Sequence, residues 1–272
     1  MQILSVAPIR ERLWQQISEK RQALQNTPRL AILRCVEGAE TAAAEEKIRR
    51  ACRKAEAEVW TAALPNYMDE SLLVKAAHQV GVDPSVQGIC VFCPEAYDKG
   101  RIGAAIGTGK DVGGFGFSDG GIYPPCALEA VMRVIAAYGL SGKGKTAAIL
   151  YRDKPFAESL GAALVQTGAE VKVCRWKQPG SEKFCQDAEL LISAVGIPGA
   201  VGREYLSNGQ TGLDAGCGMN QEGKICGDFA RGAAERAETA VLSPEGLDAL
   251  FPELLVLHLL EAGERQEKER NY

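Results

Sequence analysis

Nine cysteines, two histidines and a lysine on a charged helix are the side chains with which this sequence could do chemistry. Cys90 and Cys93 form a Cys-x-x-Cys pair, a spacing at which thiolates can hold zinc. Zinc needs about four ligands at short spacings. There is no second such pair, and His78 and His258 lie in no cluster. The pair also sits on the apolar run Ile89-Cys90-Val91-Phe92-Cys93, which reads as a buried strand. The expectation is therefore no metal site, with reduced cysteines serving as small core residues. Lys47 could move a proton only if burial or a neighbouring charge brought its pKa towards working pH. Among Glu46, Arg49, Arg50 and Lys54 it reads more readily as a surface lysine of a charged helix. Asp153 precedes Pro155, a residue suited to a first helical turn, so Asp153 could cap the helix that follows. A carboxylate there would satisfy the free N–H groups and repel a phosphate arriving at them.

The elements that would carry these residues alternate. Ile9, Leu13, Ile17 and Leu24 recur at helical spacing over residues 8–26. Apolar strands are predicted over 29–33, 58–64 and 87–92, separated by a helix that Thr41 could cap and that runs to about Ala57, and by another from Glu70. Nine glycines between Gly100 and Gly121 mark a domain junction or cleft wall. A helix over 126–138 follows, and then strand and helix alternate again to Ala215. One or two short segments lie within 225–242, and a helix runs from about Gly246 to Glu264.

The chain has 272 residues, enough for one or two domains at roughly 100–200 residues each. It is 46% hydrophobic and 24% charged, an ordinary globular composition. A net charge of -4 gives no sign of a nucleic-acid binder. The longest apolar runs are too short for a membrane span. The first residues lead straight into Ile9-Arg10-Glu11-Arg12, unlike a signal peptide, so a cytoplasmic protein is expected.

Three segments carry a family resemblance. Lys110-Asp111-Val112-Gly113-Gly114-Phe115 resembles a KDVDGF motif. Pro125-Cys126, a long helix and Tyr138-Gly139-Leu140-Ser141-Gly142-Lys143 resemble a PCTP-helix-Tyr-Gly-Lys segment. Ala188 to Pro198 is similar to ADILI-AVGxP. With weaker matches at Leu213-Asp214-Ala215-Gly216 and Gly227-Asp228, their order is that of the methylenetetrahydrofolate dehydrogenase/cyclohydrolase family. The resemblance implies an α/β protein: an N-terminal βαβ three-layer domain over 1–121, joined by the C-terminal helix 246–268, and a Rossmann-type domain over 122–245, with a cleft between them. It implies a folate-like small-molecule substrate, NADP as cofactor and a homodimer, with no nucleic acid or membrane partner.

It also implies site residues, several of them altered. The family's Tyr and Lys, four apart on one helix face, align with Ala43 and Lys47. The Gln that positions the lysine aligns with Phe92. The second Asp of KDVDGF, which holds the pterin ring, aligns with Gly113, while Asp111 is kept in a more structural role. In the loop after the first Rossmann strand, Tyr151 and Ala157 replace glycines that let backbone approach phosphate. Arg152 stands where the family's Arg helps hold the NADP 2′-phosphate, Asp153 follows it, Arg175-Trp176-Lys177 replaces His-Ser-Lys, and Gly196 belongs to the AVGxP motif. Arg152, Arg175 and Lys177 could grip a phosphate, or form a solvated strand end. The closing PVPGGVGPMT survives only in outline at 239–247. Three readings stay open: an active enzyme with altered details, a relative using the same cleft for another ligand, and a non-catalytic dimeric paralogue.

Overall fold

The computed structural model describes residues 2–152, 154–242 and 246–270. In chain order, β1 (Gln2–Ile3) leads into α1 (Ala7–Ala23), and strands then alternate with helices: β2 (Arg29–Arg34), α2 (Ala39–Lys54), β3 (Glu58–Ala63), α3 (Glu70–Gly81), β4 (Gly88–Phe92) and α4 (Lys99–Ile106). After α5 (Cys126–Tyr138) the alternation resumes with β5 (Thr146–Tyr151), α6 (Lys154–Gln166), β6 (Glu170–Arg175), α7 (Ser181–Gln186), β7 (Leu190–Ala194) and β8 (Thr211–Asp214). A short hairpin of β9 (Gly218–Met219) and β10 (Ile225–Cys226), then β11 (Thr239–Val241) and α8 (Phe251–Arg270), complete the order. The chain forms two compact units, one of Arg10–Cys126 with Pro252–Tyr272 and one of Met1–Ile9 with Ala127–Phe251.

In the first unit the parallel sheet runs β3-β2-β4. Side chains alternate between its faces. Leu33, Cys35, Ile89 and Val91 pack with Leu73 and Ala77 of α3 and Ile102 and Ile106 of α4. On the opposite face a Cβ at Gly88 would stand 2.9 Å from Leu259 of α8, so the helix docks against bare backbone there.

In the second unit six strands lie in the order β1-β11-β8-β7-β5-β6, all parallel. Such a sheet is covered on both faces, and β5 and β7 accordingly read as continuous apolar runs, buried from Ala147 to Leu150 and from Leu190 to Ser193. The order reverses between β5 and β7: β6 lies on one side of β5 and the later strands on the other.

Three boundaries differ from expectation. Residues 100–121 are not all loop, because α4 occupies Lys99–Ile106; Asp98 caps it by accepting from Arg101 N–H at 3.0 Å. Gly103 is required within that helix, since a Cβ there would lie 2.3 Å from Gly116 N. Thr41 is not a cap: α2 opens two residues earlier, at Ala39 behind Gly38. The last α-helix starts at Phe251 after a 3₁₀ turn over Leu247–Leu250, later than expected.

Candidate functional site

α2 carries Ala43 and Lys47 one turn apart, the first half-buried and the second exposed. Between them Glu45 turns towards the sheet. Its Oε1 accepts from Arg49 Nε at 3.0 Å and from the Thr61 hydroxyl at 2.7 Å, and its Oε2 stands 3.4 Å from Arg34 Nε. Burial raises the Glu45 pKa, but the bonds from Thr61 and Arg49 and the charges of Arg49 and Arg34 outweigh it and hold the carboxyl below its usual range. Phe92 ends β4, half-buried and in register with Arg34 of β2, so both side chains leave the same face of the sheet. The position therefore offers a ring to that face, with no donor or acceptor. This Arg34–Glu45–Arg49–Thr61 network was not anticipated; its only signal in the sequence is the Glu45/Arg49 spacing of four.

The Asp111–Gly116 loop follows α4. Asp111 is buried, and its Oδ2 accepts from Gly116 N–H at 2.7 Å. Burial pushes its pKa up against the N–H groups of Gly116, Phe115 and Gly114, which favour the charged form. His258 of α8 supports the same loop. Its Nδ1 lies 3.0 Å from the Val112 carbonyl, which can only accept, so that nitrogen donates. Gly113 is open by comparison: a Cβ there would meet nothing nearer than 4.0 Å, and its φ lies outside the left-handed region.

In the second unit the topology itself points to a place. In an open α/β sheet ligands bind beyond the carboxyl ends of the strands where the order reverses. Tyr151 of β5 and Ala194 of β7 are in register at those ends, and Arg152 N–H donates to the Ala194 carbonyl. Gly196 follows in a left-handed conformation, φ 69°, and the Arg152 guanidinium lies 3.6 Å from where its Cβ would stand. Arg175, exposed, ends β6 in register with Tyr151. Trp176 donates from its indole to the Ala200 carbonyl at 3.2 Å, and Lys177 lies 4.2 Å from the centre of its ring. Arg152, Arg175 and Lys177 thus stand near the ends of neighbouring strands, beside the opening turn of α6. That donor set fits a phosphate-bearing cofactor. The fit is narrowed at α6, where Ala157 is fully buried and Lys154 pairs with Glu158 at 2.8 Å. Asp153 falls outside the described residues, as do Ser243, Pro244 and Glu245 of the closing motif. Among the described residues no group of three or more metal-ligating side chains occurs, and no helix is long and apolar enough to cross a membrane.

Sequence comparison also divides the chain in two near residue 120, although it counts α8 with the second part and residues 4–9 with the first. Residues 4–113 match the catalytic domain of tetrahydrofolate dehydrogenase/cyclohydrolase, and residues 125–267 match that family's NAD(P)-binding domain. The bifunctional protein FolD of Alkaliphilus metalliredigens is 24% identical over 279 residues, spanning 97% of this chain and 98% of its own. The bifunctional enzyme FolD of Campylobacter jejuni superimposes with a TM-score of 0.85 at 21% identity, over 97% of this chain and 99% of that one. The Trypanosoma brucei methylenetetrahydrofolate dehydrogenase-cyclohydrolase, complexed with NADP and an inhibitor, gives 0.82 at 19% identity over 98% of each chain.

Proposed function

Because this chain belongs to the tetrahydrofolate dehydrogenase/cyclohydrolase family, we propose that it is an NADP-dependent methylenetetrahydrofolate dehydrogenase of one-carbon metabolism whose cyclohydrolase step is impaired. The observation that carries this reading is Phe92 at the end of β4, on a two-unit frame that otherwise keeps Lys47 and Arg152. The two family reactions make different demands. Oxidation of the methylene bridge moves a hydride and needs no proton transfer; NADP supplies the acceptor. Hydrolysis of the methenyl product needs a water deprotonated as it attacks, which takes a positioned base. Lys47 is the candidate base, and the position that would orient it holds a phenyl ring. Gly113 likewise offers no acceptor to a pterin, so substrate binding is weakened as well. Arg152 and Arg175 would bind the cofactor's phosphate. The matched NAD(P)-binding domain and the NADP-bound relative support NADP as the cofactor. The family resemblance supports a homodimer and a divergent paralogue; nine free thiols support a reducing compartment such as the cytoplasm.

The test is to mix the protein with methylenetetrahydrofolate and NADP and follow reduced cofactor and methenyl product together. The expected outcome is reduced cofactor with methenyl product accumulating in step. No reduced cofactor at high enzyme concentration would remove the dehydrogenase reading and leave the non-catalytic one.

A further inference from the structure

The backbone that carries Gly196 lies beyond the end of β7, at Ala194, where the sheet no longer holds it. One carboxylate holds it instead. Asp228 is fully buried; its Oδ2 accepts from the Ser193 hydroxyl at 2.5 Å and from Val195 N–H at 2.7 Å, and its Oδ1 accepts from Ile197 N–H at 3.0 Å. Asp228 is itself held by a second buried carboxylate. Asp214, the last residue of β8, accepts from Asp228 N–H at 3.0 Å, Phe229 N–H at 3.1 Å and Gly216 N–H at 3.2 Å. The chain makes close room for the arrangement: a Cβ on Gly216 would lie 2.0 Å from the Asp228 carboxylate. The connection therefore runs from the rigid end of β8 through Asp214 to residues 228–229, and through Asp228 to residues 193–197.

Burying two carboxylates side by side is a poor way to gain stability alone, since apolar packing of similar volume often does as well or better. Directed hydrogen bonds give something apolar packing does not, a fixed orientation for the peptide groups they hold. We infer that Asp228, anchored by Asp214, is a positioning residue for the cofactor: it fixes the Val195–Ile197 backbone, and so holds Gly196 beneath Arg152 at the reversal of the sheet. This rests on the reading above that the second unit takes NADP.

The decisive variant is Asp228→Asn, which keeps the shape and changes one acceptor oxygen into a donor facing N–H groups. Hydrogen exchange at the Val195 and Ile197 amides of the cofactor-free protein should quicken. The NADP dissociation constant by calorimetry should rise about ten- to a hundredfold, the loss expected of one charged hydrogen bond. KM for NADP should rise with it, while KM for the folate stays unchanged. Leu206→Ala, a fully buried core truncation in the same unit, serves as the control: it should lower the melting temperature and leave the NADP dissociation constant alone. If Asp228→Asn does not fold, Ser193→Ala removes a single anchor and should quicken Val195 exchange by a smaller factor. Unchanged exchange at both amides overturns the proposal, and so does weakened NADP binding that Leu206→Ala reproduces. If the wild-type protein binds no NADP, the functional reading fails, whereas the exchange rates still decide whether Asp228 holds this backbone.

Discussion

In the second unit Asp214 and Asp228 lie wholly inside the protein, and every hydrogen bond described for them comes from the chain itself. In the first unit the positions that the family resemblance assigns to the substrate, Ala43, Phe92 and Gly113, have no polar side-chain group, and a Cβ on Gly113 would meet nothing nearer than 4.0 Å. Asp111, two residues before Gly113, sides with the buried pair: Gly116 N–H donates to it, and it stays. The contrast separates two kinds of polar residue. One is fixed by donors that folding would strand if the acceptor were lost. The other answers only to a ligand, and substitution there leaves the fold untouched. A chain can thus keep its frame while the side chains that handle its substrate drift.

The largest expected effect tests the first kind. Asp228→Ala strands the Ser193 hydroxyl and two backbone N–H groups in a buried place; at about 1–3 kcal/mol for each, urea unfolding should show a loss of about 3 kcal/mol or more. A shift below about 0.5 kcal/mol would erase the distinction. Next is Lys47→Met. Lys47 is exposed, so stability should hold within about 0.5 kcal/mol, while any turnover of the methenyl substrate that depends on it should fall by about 10²–10⁴-fold. Restoring a ligand-facing group should cost the fold nothing. Gly113→Asp should leave the melting temperature unchanged and tighten folate binding about ten- to a hundredfold by calorimetry; if it unfolds the protein instead, the site is not as open as its 4.0 Å clearance indicates.

The last effect is one of pH, small at any single pH step. Burial pushes the Asp214 pKa up to about 7 from an ordinary 3.8, with the Asp228 charge adding to it. Between those values the folded state binds the extra proton. Stability of the second unit should therefore rise as pH falls through 7, by at most about 1.4 kcal/mol per pH unit. The first unit should move the opposite way below about pH 4.5, losing stability as Glu45 and Glu267, held below their usual range, take up protons. Asp214→Asn should flatten the slope above pH 5 in denaturation curves collected across that range.

The alternation of strands and helices was legible because parallel strands buried on both faces read as unbroken apolar runs, and α5 stands out by its helical spacing. α4 was not legible, because Gly100 and Gly103 look like breaks in a helix; only the approach of Gly116 shows Gly103 to be a packing requirement. In the site, Lys47, Arg152 and Gly196 stand out in the sequence because they sit in motifs. Arg34 and Thr61 could not, since their meeting with Glu45 depends on strand register. Asp228 was visible only as part of a weak motif. Its three partners lie 31, 33 and 35 residues away in sequence, so no local pattern could announce what it holds.

The route of the chain also sets when it can fold. Residues 10–126 include three strands and four helices, yet their unit also takes α8, which follows the whole of the second unit in the chain. Leu254 to Leu260 of that helix are buried, and Leu259 faces the bare backbone at Gly88. At roughly 5–20 residues per second, about 7–30 s of synthesis separate Cys126 from the end of α8. Throughout that interval the nascent first unit lacks the helix that lies against its sheet at Gly88, so its packing completes only after the second unit has been synthesised.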